Sequence, residues 1–301
     1  MGAYENPLAE RLTGATYFIA ITGSDSSNGQ ESTPYKTIQH GINAAWSGDT
    51  VLIAPGLYDE NIDIIDKNIT LGSYFITTQD TNYVAQTVIG GLNVEGLDST
   101  SYVGGLSIKN DEIGFYMLNS DGLRSSHMLI ENSNGVIIDN SDVELSDFVV
   151  FNNKRPSTYN FFGKGGGVLI RDSKVSIFST LIDSNRSHVS NSGGGLYSEN
   201  SSLLLDDIVI SRNVGGNGAG AYFTGSTQDS VFITNSSFTF NAGADDGYSG
   251  GGIYKESYLF LSLHNVNVNN NQADYGGGIN SSGGFIAQQS TFNDNIGMDP
   301  D

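Results

Sequence analysis

The chain reads as all-β, a single-stranded parallel β-helix of about ten coils, and three observations carry that reading. Asparagine recurs at Asn110, Asn132, Asn153, Asn185, Asn213, Asn241, Asn271 and Asn295. Between most of these lies a glycine triplet: Gly165-Gly166-Gly167, Gly193-Gly194-Gly195, Gly218-Ala219-Gly220 (alanine at its centre), Gly250-Gly251-Gly252 and Gly276-Gly277-Gly278. From the last glycine of each triplet to the next asparagine the separation is 18, 18, 21, 19 and 17 residues, whereas the loops from asparagine to triplet hold 11, 7, 4, 8 and 4. The first distance is nearly constant, so the length variation gathers at one corner of the repeat.

The sequence justifies each element of such a coil in turn. Runs such as Thr180-Leu181-Ile182, Ile208-Val209-Ile210, Phe238-Thr239-Phe240 and Val266-Asn267-Val268 alternate side chains with the strand period, so stacked coils place an apolar column inside. Asparagine at one place in successive coils forms an amide ladder that satisfies backbone groups at a sharp turn. Glycine opens turn conformations closed to residues with a Cβ. Beyond residue 50 no segment sustains the helical period of about 3.6 residues, so helix is expected to be nearly absent there.

Residues 1–50 read as an N-terminal cap. It holds a first strand at Tyr17-Phe18-Ile19-Ala20 and one short amphipathic helix, which Pro34 opens, Ile38, Ile42, Ala45 and Trp46 make apolar on one side, and Gly48 ends. That helix is expected to lie across the first coil as a lid, because a bare solenoid end exposes unpaired backbone and apolar side chains. His40 on it reads as structural. The repeats fill residues 51–301 as one domain without a linker. The run Gly297-Met298-Asp299-Pro300-Asp301 brings no closing helix, so the last coil is expected to be open, through truncation or because another subunit covers it.

Composition narrows the partners. Thirteen Lys and Arg against 33 Asp and Glu give a net charge of −20, which repels nucleic acid and anionic membranes. The charge is spread along the chain, as for a soluble surface in a saline or calcium-containing medium. There is no cysteine and no run of about 18 apolar residues, which fits an exported protein without a transmembrane segment.

Residues 17–71 resemble the N-terminal part of secreted bacterial right-handed parallel β-helix proteins of the pectate-lyase-like superfamily. The residues that carry the resemblance are Gly23-Ser24-Asp25, Pro34-Tyr35-Lys36-Thr37-Ile38-Gln39, Gly48-Asp49-Thr50-Val51 and Ala54-Pro55-Gly56-Leu57-Tyr58. The later part is similar to polymorphic outer membrane protein repeats, whose GGxI and FxxN marks are met by Gly251-Gly252-Ile253, Gly277-Gly278-Ile279, Phe238-Thr239-Phe240-Asn241 and Phe292-Asn293-Asp294-Asn295. The resemblance implies a right-handed coil and a secreted or cell-surface location. It does not imply one activity, since that superfamily includes lyases, hydrolases, esterases, adhesins and passive rods.

Functional groups are expected on the loops of the variable corner. The loop of residues 154–164 is basic and aromatic, with Lys154, Arg155, Tyr159, Phe161, Phe162 and Lys164; the next adds Arg186 and His188. Asp245, Asp246, Tyr248, Asp274 and Tyr275 follow on later loops. As an adhesin or carbohydrate-binding module, the protein would stack sugar rings of a polysaccharide or host-surface glycan on Tyr159, Tyr248 and Tyr275. As a polysaccharide lyase on an acidic glycan, it would draw its base from Lys154, Arg155, Lys164 or Arg186, with Asp245, Asp246 and Asp274 holding calcium. The binding role ranks ahead of the enzymatic one, and a rod assembling end to end comes third. The Ala244-Asp245-Asp246-Gly247 run is similar to a polygalacturonase motif whose companion elements are missing here. Four scattered histidines, His40, His127, His188 and His264, offer no metal-ligand spacing.

Overall fold

Every pairing between strands is parallel, and the chain winds into a right-handed parallel β-helix. The computed structural model describes residues 14–109, 114–155, 163–188, 192–244, 247–256 and 258–297. A full coil contributes one strand to each of three faces. Face A is a sheet of eleven strands from Thr16–Ile19 to Ile286–Gln288. Faces B and C belong to one sixteen-stranded sheet, because the long strands Gly56–Ile65 and Thr87–Glu95 run through both. From Val214 onward the corner between B and C carries a small ribbon of its own: Val214–Gly215, Ala242–Gly243, Gln272–Ala273 and Ile296–Gly297.

The strand alternation builds the core as expected. On face B, Ile89, Ile108, Ile130, Val150, Ile182, Ile210, Phe238 and Val268 fall in one register column, and all are fully buried. Each such side chain contributes roughly 1.5–3 kcal/mol by leaving water. Between them, Val209 and Phe240 point outward and are exposed. Phe240 is a turn residue at φ 58°, not part of the inward column.

The turns after faces B and C repeat one arrangement. A residue with left-handed backbone ends a strand there, and the next residue turns inward and hydrogen-bonds along the solenoid. At the corner after face B the left-handed residues are Asn132, Asn152, Ser184, Arg212, Phe240, Asn270 and Asp294, with φ between 52° and 58° where the backbone angles are given. Immediately after six of them sit Asn153, Asn185, Asn213, Asn241, Asn271 and Asn295, which form the expected ladder. From Asn185 on, each amide oxygen accepts both the backbone N–H and the Nδ2–H of the preceding asparagine, at 2.8 to 3.1 Å. Asn132 does not belong to this ladder. Ser133 holds its place and donates to Asn153 Oδ1 at 2.8 Å, while Asn132 lies outside and accepts from the exposed Asn152 amide. Asn110 lies outside the described residues. A second, unforeseen ladder of hydroxyls, Ser120, Ser141, Ser173 and Ser201, lines the turn between C and A.

The glycine triplets and the asparagines are mechanically coupled. The first glycine of each needs positive φ, 62° at Gly165 and 70° at Gly193. The third packs on the ladder: a Cβ at Gly195 would sit 2.8 Å from Asn213 Nδ2 and 2.6 Å from Gly220 O.

Helix α1 (Ile38–Ala44) packs on the first strands of faces A and B, with Ile38 and Ile42 in the core. It is shorter than the sequence suggests. It opens at Ile38 after Thr37 rather than at Pro34, and the Glu60 carboxylate accepts the Ile38 and Gln39 N–H groups at 3.0 and 3.1 Å, a favourable anion at a helix start. Trp46 lies beyond it and is 68% exposed, so it is not part of the apolar side. Two helices were not expected, α2 (Phe75–Thr78) and α3 (Asn82–Gln86), which fill an excursion between faces A and B. The extra residues between Gly220 and Asn241 form a turn at 225–229, so the corner after face B is not the only one that tolerates insertion. At the far end, the strands Ile279–Ser281, Ile286–Gln288 and Ile296–Gly297 pair on one side only among the described residues.

Candidate functional site

The corner after face B carries the predicted bases, and the structure separates their roles. Lys154 and Arg186 occupy equivalent positions on neighbouring coils, followed in register by Val214, Ala242, Gln272 and Ile296. Both cations are exposed, and their backbones are one strand spacing apart, about 4.8 Å.

Arg155 points the other way. It is 1% exposed, so it is out of reach of a bound polymer. Its guanidinium donates to Asn134 O at 2.5 Å, Val136 O at 3.2 Å and Lys164 O at 3.1 Å. The side chain thereby pins the end of the 154–164 loop to the coil before it. Burial pulls its pKa down to about 9, so it stays protonated at neutral pH. Its bonds all go to carbonyls, so its positive charge is not neutralised by a contacting carboxylate there.

Lys164 is engaged in a different structure, a stack of tyrosines on the outside of face C. Tyr197, Tyr222 and Tyr254 lie in register with centroids 5.0 and 5.1 Å apart and planes within 11°. Lys164 Nζ sits 4.5 Å above the Tyr197 ring, donates to its hydroxyl at 2.8 Å and lies 3.8 Å from Glu199, a cation–π contact reinforced by charge. Tyr222 donates to Glu256. Burial, then Glu199 and Glu256, pushes the Tyr197 hydroxyl well above its ordinary pKa; for Tyr222 burial leads and the bond to Glu256 follows. Tyr197 and Tyr222 are nearly buried, so the stack is a packed ridge rather than an open sugar platform. In the neighbouring outward column Arg171 pairs with Asp139. Sequence reasoning missed these tyrosines, although two of them follow a Gly-Gly pair and all three stand two places after a triplet's last glycine.

The acidic end is less open than expected. Asp274 is 6% exposed, and one of its carboxylate oxygens accepts the Gly247 N–H. Tyr248 and Tyr275 lie close together, with the Tyr275 N–H donating to Tyr248 O at 3.1 Å, and Tyr275 is 44% exposed. Tyr159, Asp245 and Asp246 lie outside the described residues. Among the described residues no group of three His, Cys, Asp or Glu is arranged to hold a metal, and no helix is long and apolar enough to cross a membrane. Lys164 and Tyr275 stand at equivalent places just before their triplets, four coils apart through Ser192, Asn217 and Ser249. The basic end and the end with the acidic groups and tyrosines are therefore about 19 Å apart at one strand spacing per coil, too far for one reacting centre.

Comparison with solved structures returns parallel β-helix proteins. Pectate lyase Pel9A matches at 12% identity and TM-score 0.55, covering 93% of this chain and 80% of its own. A rhamnogalacturonan lyase matches at 12% identity and TM-score 0.47, with coverages of 93% and 87%. An alginate lyase from Paenibacillus sp. str. FPU-7 matches at 13% identity and TM-score 0.40, with 93% and 99%. At such identities the first of these establishes a shared fold. No curated protein matches the sequence. The family model described as "Protein of unknown function (DUF1565)" matches residues 21–296, nearly the whole solenoid, and the chain belongs to that family.

Proposed function

We propose that the protein is a secreted or surface-displayed glycan-binding protein that holds an acidic polysaccharide along the corner after face B. The observation that carries this reading is the pair Lys154 and Arg186, exposed and one coil apart in register. With a net charge of −20, the chain as a whole repels a polyuronate, so capture needs a local positive patch. This corner supplies one. Arg155 lies behind the pair with its charge uncompensated by a contacting carboxylate, and it adds to the field. Pel9A, which has the same fold, is named for an acidic polysaccharide, which fits such a partner. The repeats similar to those of polymorphic outer membrane proteins fit display at a cell surface.

A second reading draws on the same two side chains. One of the two, in its neutral form, taking the C5 proton beside a uronate carboxylate while the other, charged, stabilises the developing carbanion, with the C4 glycosidic oxygen leaving and taking a proton from water, would make the protein a lyase.

The test is retention of the protein by immobilised polygalacturonate and alginate, with dextran as the neutral control. Wild type is retained at low salt and released as salt rises, because the pair is exposed and screened within about 8 Å at physiological ionic strength. Lys154→Glu with Arg186→Glu weakens retention at least about tenfold without loss of stability. Equal retention by the double variant would overturn the proposal. Unsaturated uronate ends accumulating in the bound polymer would move it from binding to β-elimination.

A further inference from the structure

The excursion that carries α2 and α3 creates a cleft on face A that is unrelated to the charged corner. Face A presents outward columns there. Thr16, Thr50 and Thr70 follow one another in register on three consecutive strands, and Tyr102 comes next. In the adjacent outward column Gly72 and Gly104 replace side chains, and that absence shapes the site. A Cβ at Gly72 would stand 2.6 Å from Ile76 Cγ2, and one at Gly104 would stand 2.3 Å from the Tyr102 hydroxyl. The glycines thus let α2 settle on the sheet and let the Tyr102 ring lie across it. The result is a cleft of about 490 Å³ floored by Leu52 and the threonine column, walled by Ile76 and Tyr102, with Gln79 at its rim.

Its chemistry is specific in what it offers. None of its lining residues is charged, in a chain with 46 ionisable Lys, Arg, Asp and Glu (13 and 33). The hydroxyls of Thr16, Thr50 and Thr70 make no hydrogen bond within the described residues, so donors and acceptors spaced by about 4.8 Å face the cleft unused. The Tyr102 hydroxyl is fixed by Ser126 Oγ at 2.6 Å, which holds the ring as a rigid wall. Apolar contacts, an aromatic wall and uncharged hydroxyls together are the complement of a sugar with no carboxylate. The volume lies in the range of small-molecule sites, about 300–1,000 Å³.

The geometry points to a second binding site here, for a neutral sugar residue or a short neutral oligosaccharide, independent of the acidic-glycan corner. Both glycan classes would then be engaged by different faces of one rod.

The experiment is saturation-transfer NMR and calorimetry on the whole protein with methyl glycosides of glucose, galactose, mannose and xylose and the corresponding disaccharides. At least one binds wild type. Thr50→Val keeps the branched shape and removes the central hydroxyl, and it weakens that ligand about tenfold. Gly104→Ser, which crowds the Tyr102 hydroxyl, displaces the aromatic wall and weakens it as well. Lys154→Glu with Arg186→Glu leaves it unchanged, which separates this site from the corner. Absence of binding across the whole panel overturns the inference, as does an affinity that Thr50→Val leaves intact.

Discussion

Asn213→Ala is expected to destabilise the protein by about 3 to 5 kcal/mol, more than any other single asparagine change outside this ladder. Asn213 stands at the centre of six laddered amides. Its Oδ1 accepts the Asn185 backbone N–H at 2.8 Å and the Asn185 Nδ2 at 3.1 Å, and its own Nδ2 donates to Asn241 Oδ1 and Ile182 O, both at 3.0 Å. Alanine leaves two fully buried donors on Asn185 without an acceptor, each worth about 1–3 kcal/mol when unmet. It also empties the space against which Gly195 packs. Both neighbouring asparagines are 0% exposed, so the unmet donors lie away from bulk solvent. Denaturant titration measures the loss. The comparison is Asn132→Gly, which keeps the left-handed backbone outside the ladder and costs under about 1 kcal/mol. Equal effects from the two would mean that the ladder is not a special source of stability.

Arg155→Met is expected to cost about 3 kcal/mol and to loosen the corner. Replacing a buried charge by an apolar side chain is often neutral, so the sign needs an argument. Here the guanidinium serves three carbonyls, those of Asn134, Val136 and Lys164, and methionine satisfies none of them. Arg155→Lys rescues little, because a compact ammonium lacks the planar fork that spans these oxygens. The loop ending at Lys164 loses its anchor, so Lys164 leaves the Tyr197 ring more often. Trypsin cleavage at Lys154 or Lys164 should therefore quicken in the variant well before global unfolding. An unchanged cleavage rate with unchanged stability would refute the anchoring role.

The fold was legible because its signals repeat. Period-two alternation, the Asn spacing and the triplets each recur over five or more coils, and each has one physical use. The errors fall where a local substitute exists. Asn132 looks like a rung, but Ser133 makes the same hydrogen bond one position later. Trp46 continues an apolar pattern that the helix has already abandoned. Helices α2 and α3 span four and five residues, less than two turns, so no helical period could announce them. At the candidate site, the sequence places several cations on one corner but does not rank them. Arg155 and Lys154 are adjacent in the chain, and strand alternation sends one inward and the other to solvent. The sequence shows both as basic loop residues; only the winding assigns one to structure and leaves the other open. The threonine cleft was hidden for a related reason, since Thr16, Thr50 and Thr70 come from unequal early coils that precede the regular repeat.

The most direct measurement places a reporter beside the proposed binding pair. The chain has no cysteine, so a single Val214→Cys, next in register after Arg186, carries one fluorophore, and Lys174→Cys on face A carries the control. On titration with oligogalacturonate, the label at position 214 should shift saturably and lose that shift at high salt, while the label at 174 stays silent. A silent label at 214, or identical shifts at both positions, would contradict the assignment of the corner as the acidic-glycan site.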